Sequence, residues 1–201
     1  MRIALAGSMG ALAAGVMLAA PLRGQTAGMP KHEFGVDLGL TYSNIASPAA
    51  GGSSVSVVAI TTPVDVRVAF LSPDPVSWEL RFIGSYMNES SGGFSVTIYS
   101  FMPDVNVLYR LGTGTGPWHL LGPYLTAGLG ARVIGESSSG GGGSNAGLNV
   151  PVNVGIGTRT ALGSGAFRGE LYLAFTPKNG NVGPDGNEIT VGVRAGISLW
   201  H

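Results

Sequence analysis

Cysteine is absent from the 201 residues, so no disulfide holds the fold, even in an oxidising compartment. Charge is scarce: only 11% of residues are Asp, Glu, Lys or Arg, against about 25% in an ordinary water-soluble domain. The 11 basic and 11 acidic residues cancel, which argues against nucleic acid or another strongly charged partner. Beyond the first 27 residues there is also no run of roughly 20 apolar residues, the length a spanning helix needs. Yet 44% of the chain is hydrophobic and 34 residues are glycine. A chain this apolar, with little charge and no helical span, meets something other than water in another way.

Residues 1–27 read as a signal peptide. Arg2 opens a short positive start, Ile3 to Ala20 is apolar and small, and a polar exit follows, with cleavage near Gln25 or Ala27. The apolar stretch is long enough for an uncleaved anchor, but Gly7, Gly10 and Gly15 favour removal. The remainder, 28–201, reads as one barrel domain.

Within that domain the hydrophobic rhythm has a period of two residues. It is clearest at the end, where Ile189, Val191, Val193, Ala195, Ile197 and Leu199 alternate with Thr190, Gly192, Arg194, Gly196 and Ser198. The same rhythm marks eight strands: 34–42, 57–70, 76–87, 96–110, 119–133, 148–162, 166–176 and 188–200. One face of every strand is free of charge. The other face holds Asp37, Asp65, Arg67, Glu79, Arg81, Asp104, Arg132, Arg159, Arg168, Glu170 and Arg194. A soluble barrel turns its apolar face inward, and the bore of an eight-stranded barrel is too narrow for so many bulky side chains. The inverted arrangement fits: apolar residues out to lipid, small and polar residues in. An Arg facing lipid at mid-depth costs about 2–4 kcal/mol.

Aromatics fall near the strand ends, with Phe34, Phe70, Tyr109, Trp118 and Phe167 at one level and Tyr42, Tyr86, Phe101 and Phe175 at the other. Two such girdles suit the two interfaces of a membrane. Connections alternate in length. Those at 72–75, 111–118 and 163–165 are mostly short, and those at 43–56, 88–95, 134–147 and 177–187 are longer. Short periplasmic turns and longer outside loops put both termini on the periplasmic side. Pro103 and Pro151 sit inside strands and predict bulges, and Val96 and Ile98 predict a change of face around Ser100.

This pattern resembles the small outer-membrane barrels of the OmpA, OmpX and OmpW type, from about Phe34 to the end. The C-terminal strand is similar to their assembly signal at Arg194, Gly196 and Leu199, although His201 stands where an aromatic is usual and Trp200 precedes it. The segment 122–132 is similar to a strand that recurs in the group. The resemblance implies an eight-stranded antiparallel up-and-down transmembrane β-barrel in the cell outer membrane. It would be a monomer contacting outer-membrane lipid and the barrel-assembly machinery.

Chemistry is thinly signposted. Resemblance to the lipid A deacylase and palmitoyltransferase barrels would imply a Ser-His-acid or His-centred site near the outer rim. The histidines, His32, His119 and His201, all fall on the periplasmic side of this topology, so no enzyme is expected. No cofactor and no metal are expected either, since cysteine and paired-histidine spacing are lacking. Asp185-Gly186 is a turn signal before it is a calcium loop, and Gly112–Gly116 lacks the Lys-Ser/Thr of a phosphate loop. The interior charges are expected to pair into a rigid plug. The first alternative is a narrow path for small anions along Arg132, Arg159, Arg168 and Arg194, with voids at Gly128, Gly130, Gly155, Gly157, Gly192 and Gly196. The second is a soluble, exported ligand binder of lipocalin type. The Gly140–Gly143 run predicts a mobile hairpin tip.

Overall fold

The computed structural model describes residues 31–45, 54–91, 94–112, 121–138, 145–178 and 186–201. The leader, Trp118, His119 and the Gly140–Gly143 run lie outside these residues. All regular structure is β: β1 (His32–Ile45), β2 (Val55–Phe70), β3 (Val76–Ser91), β4 (Phe94–Arg110), β5 (Gly122–Gly130), β6 (Arg132–Ser138), β7 (Asn145–Asn149), β8 (Val152–Leu162), β9 (Gly165–Thr176) and β10 (Glu188–Trp200). Every pairing is antiparallel, β4 pairs with both β5 and β6, β8 pairs with β5, and β10 returns to β1, so the sheet closes.

The ten segments lie along eight staves, because β5 with β6, and β7 with β8, are each one strand interrupted. The interruptions have one cause. Ala131 N donates to Pro103 O at 2.9 Å and Gly130 N to Pro151 O at 2.9 Å. In a hydrogen-bonded antiparallel pair the bond is normally returned, and proline has no N–H to return it. The two prolines therefore flank the same stave at adjacent residues. Contrary to the expectation of bulges, no extra residue is inserted, and the register is the same on either side of both prolines. The offset lies elsewhere. Between Asp37 and Gly39 of β1 the partner on β2 jumps from Asp65 to Thr61, around Pro63.

Nor does β4 change face at Ser100; it keeps one register with β3 from Val76↔Tyr109 to Ser91↔Phe94. That ladder also shortens the expected long connection 88–95 to residues 92–93. The turn between β8 and β9 is Gly163-Ser164, where Gly163 has φ 56°, a conformation that primed hairpin turns require and glycine adopts without strain.

Sidedness follows the strand parity. Leu38 is 61% exposed, Leu129 59% and Trp78 55%, whereas Arg67 and Glu79 are at 0%. Phe34, Phe70, Tyr109 and Phe167 are exposed toward one end and Tyr42, Phe101 and Phe175 toward the other. Trp78, directly opposite Phe70, joins the same level as Phe34 and Phe70. A soluble protein seldom exposes contiguous apolar patches beyond a few hundred Å²; here the outer wall of the described residues is predominantly apolar. That arrangement is the reverse of a lipocalin, so the soluble-binder alternative is corrected.

Candidate functional site

Alternation sends every second side chain into the bore, and the bore collects the charge. Asp37, Asp65, Arg67, Glu79, Arg81, Asp104, Arg159, Arg168, Glu170 and Arg194 are buried, and Arg132 keeps 17% side-chain exposure. Three further charges are buried with them: Glu33, Arg110 and Glu188. Glu33 lies one residue before the predicted first strand. Arg110 and Glu188 are the end residues of theirs, and their parity already pointed inward. The bore thus holds seven arginines and seven carboxylates, all but Arg110 and Asp104 in ion contacts with one another, and no arginine of the described residues lies on the outer wall. Equal numbers matter because a buried charge without a partner costs several kcal/mol.

The contacts run in levels. Toward the end that carries both His32 and His201, Glu33 lies between Arg67 at 3.4 Å and Arg159 at 3.1 Å. At the centre, Arg168 donates to Glu79, and its Nη2 lies 2.5 Å from Glu170. Arg81 reaches Glu79 at 3.0 Å and Glu170 at 3.5 Å, and Asp37 and Asp65 at 3.7 Å each. Arg67 Nη1 donates to Asp37 at 3.1 Å, and Arg194 lies 3.5 Å from Glu170. Toward the outer end Arg132 pairs with Glu188 at 2.5 Å, and Asn153 Nδ2 donates to both oxygens of Asp104 at 3.2 and 3.0 Å.

Position in the ring gives these contacts their meaning. β3 and β9 stand four staves apart whichever way the ring is traversed. The Arg168–Glu79 and Arg81–Glu170 pairs therefore join opposite walls across the bore. Tyr124 packs into the same centre. Its hydroxyl donates to Glu170 at 3.0 Å and accepts from Arg168 Nε, while Arg159 and Arg168 sit 5.1 and 4.8 Å from its ring centroid. Arg194 lies 3.7 Å from the Tyr172 ring. Cations over aromatic faces gain about 2 kcal/mol or more when desolvated. Arg110 has a local role, donating to Pro73 O, Asp74 O and Ser77 Oγ to hold the short turn between β2 and β3.

The inward glycines are recesses rather than voids, which corrects that part of the anion-path alternative. Each admits a large side chain from the neighbouring stave. Tyr124 lies over Gly157, Tyr172 over Gly192, Asn106 over Gly128 and Asp37 over Gly196. Arg67 lies over Gly35 in the same way. Gly130 is covered by Pro151 and Met102, and Gly155 by Thr126 and Tyr172. The four arginines of the proposed basic wall each have a carboxylate within 3.5 Å. A depression of about 590 Å³ does occur, but on the outer wall, where Ala127 is small beside Val107, Leu125 and Val154.

No protein-family model and no curated protein sequence matches the chain. Solved structures do. Ail, the attachment invasion locus protein of Yersinia pestis, superposes with a TM-score of 0.51 at 11% identity, covering 84% of this chain and 99% of Ail. Ail in complex with the heparin analogue sucrose octasulfate gives 0.55 at the same identity and coverage. Neisserial surface protein A gives 0.55 at 12% identity, covering 87% of this chain and 99% of that one. At such identities the likeness concerns the fold. Closure, the apolar outer wall and these superpositions agree, and the chain has the closed eight-stranded fold of small outer-membrane β-barrels.

Proposed function

We propose that this protein is a closed, non-conducting barrel with a structural or surface-interaction role, without catalytic activity of its own. On this reading residues 1–27 are removed on export, and the barrel-assembly machinery inserts the chain as a monomer through its C-terminal strand. The observation that carries the reading is the pair of ion contacts between β3 and β9, Arg168–Glu79 and Arg81–Glu170, which span the bore. A hydrated ion passing that level would have to separate buried opposite charges, which costs several kcal/mol.

The outer end argues about ligands. Ail has been solved with a heparin analogue, a polyanion. In this chain the segments 46–53, 92–93, 139–144 and 179–185 contain Asp185 and no other charge, and are built of Gly, Ser, Ala, Asn, Pro and Val. A polyanion would find little to hold it there. Partners would instead engage neutral backbone and hydroxyl groups. Planar-bilayer recording of the purified, refolded protein tests the closed state. The expected trace is that of lipid alone, and stepwise, anion-selective openings would overturn the reading.

A further inference from the structure

We infer that His32 and His201 form a transition-metal clip at the periplasmic rim, one imidazole from each end of the barrel domain. No spacing rule in the sequence brings these residues together; closure of the barrel does. His32 N donates to His201 O at 3.0 Å and His201 N donates back to His32 O at 2.9 Å. The pair continues the β1–β10 register of Glu33↔Trp200 and Phe34↔Leu199. Directly opposed residues of an antiparallel ladder project from the same face, with Cβ atoms about 4.5–5.5 Å apart.

Two observations fix that face as the outer one. Glu33, next to His32, is buried in the bore, so parity turns His32 and its partner outward. Independently, the His32 ring meets the Phe70 ring edge-on at 5.6 Å, and Phe70 is an exposed residue of the outer wall. His201 is exposed and His32 half-buried, so both are reachable from the periplasm.

Paired imidazoles select borderline divalent cations such as Zn²⁺, Ni²⁺ and Cu²⁺, with metal–nitrogen bonds of about 2.0–2.1 Å for zinc. Mg²⁺ and Ca²⁺ prefer oxygen and should be ignored. Among the described residues no group of three or more His, Cys, Asp or Glu is arranged to hold a metal. The clip therefore supplies two protein ligands and leaves the other positions to water, making it open and reversible rather than a closed structural site. Its place gives it an effect. It joins the first strand to the last at the seam where the barrel closes, so a bound cation favours the closed state by mass action.

The test uses the full mature protein without a polyhistidine tag, refolded in detergent, with folding checked by heat-modifiable gel mobility. Zinc chloride is titrated against a chromogenic chelator, with magnesium chloride as control, and Cu²⁺ is added for electron paramagnetic resonance. Saturable zinc binding is expected, with hyperfine structure from two nitrogens on copper. At a hundredfold excess of zinc over Kd, the folded-to-unfolded ratio should rise about a hundredfold. His32→Asn and His201→Asn should each weaken binding at least tenfold, and the double variant should abolish it. Should His32→Asn not fold, His201→Asn at the exposed position carries the test alone. No binding at millimolar zinc, affinity unchanged in the variants, or sensitivity to only one histidine when both variants fold would overturn the inference.

Discussion

Glu79→Gln is the sharpest probe of the interior. The substitution keeps the shape of the side chain and removes its charge. Glu79 is fully buried and faces Arg168, Arg81 at 3.0 Å and Arg67 at 3.8 Å. Arg81 retains Glu170, with Asp37 and Asp65 at 3.7 Å, but Arg168 is left with Glu170 alone, which it must share with Arg81 and Arg194. Removing one partner of a buried ion pair costs about 3–5 kcal/mol, and the glutamine can still accept one hydrogen bond, so the lower end, about 3 kcal/mol, is expected. Arg168→Gln should cost a similar amount, since it leaves Glu79 with Arg81 and the more distant Arg67 and loses the cation over Tyr124. The double variant leaves fewer orphans. Contacting residues show coupling of about 0.5–3 kcal/mol, so its loss should fall short of the sum by an amount in that range. The assay is urea unfolding in micelles, followed by tryptophan fluorescence and heat-modifiable mobility. Single losses below about 1 kcal/mol that simply add would mean the pair is hydrated, and would refute a dry, ion-locked bore.

Other outcomes follow from packing and sidedness. Gly157→Ala drives a methyl group into Tyr124 and should destabilise by about 1–3 kcal/mol through overpacking. Gly169→Ala, where a Cβ meets nothing within 4 Å, should stay within about 0.5 kcal/mol of the parent in the same urea assay. Leu38→Arg, placed on the 61% exposed outer wall, should lower folding stability in lipid vesicles by about 2–4 kcal/mol if the site is at mid-depth.

Strand parity was the legible part of this sequence. A period of two needs no knowledge of partners, and Val191, Val193 and Ile197 declare their side as plainly as Arg194 declares the other. What depends on pairing was hidden. That Tyr124 fills the recess at Gly157 follows only once those residues stand opposite each other. Read alone, an inward glycine looks like empty space. The proline sites misled for a related reason. Pro103 and Pro151 both aim their missing donor at one stave, so a ladder gap suffices and no residue is inserted. Pro63, at the real offset, gave the same signal in the sequence. Glu33 escaped notice because the start of the first strand is set by closure contacts, such as the bonds between Lys31, His32 and His201, rather than by local pattern, whereas the inward parity of Arg110 and Glu188 was readable in the sequence. The outer connections carry no comparable pattern, which is why the fold is far more legible than a ligand.

A nitroxide scan along β10 tests sidedness most directly. The chain has no cysteine, so single cysteines from 188 to 200 report without background. In lipid vesicles, oxygen accessibility should peak at 189, 191, 193, 195 and 197 and fall at 190, 192, 194 and 196. Peaks in the opposite phase, or a flat profile open to a water-soluble nickel reagent, would contradict a barrel with lipid outside and its charges sealed within.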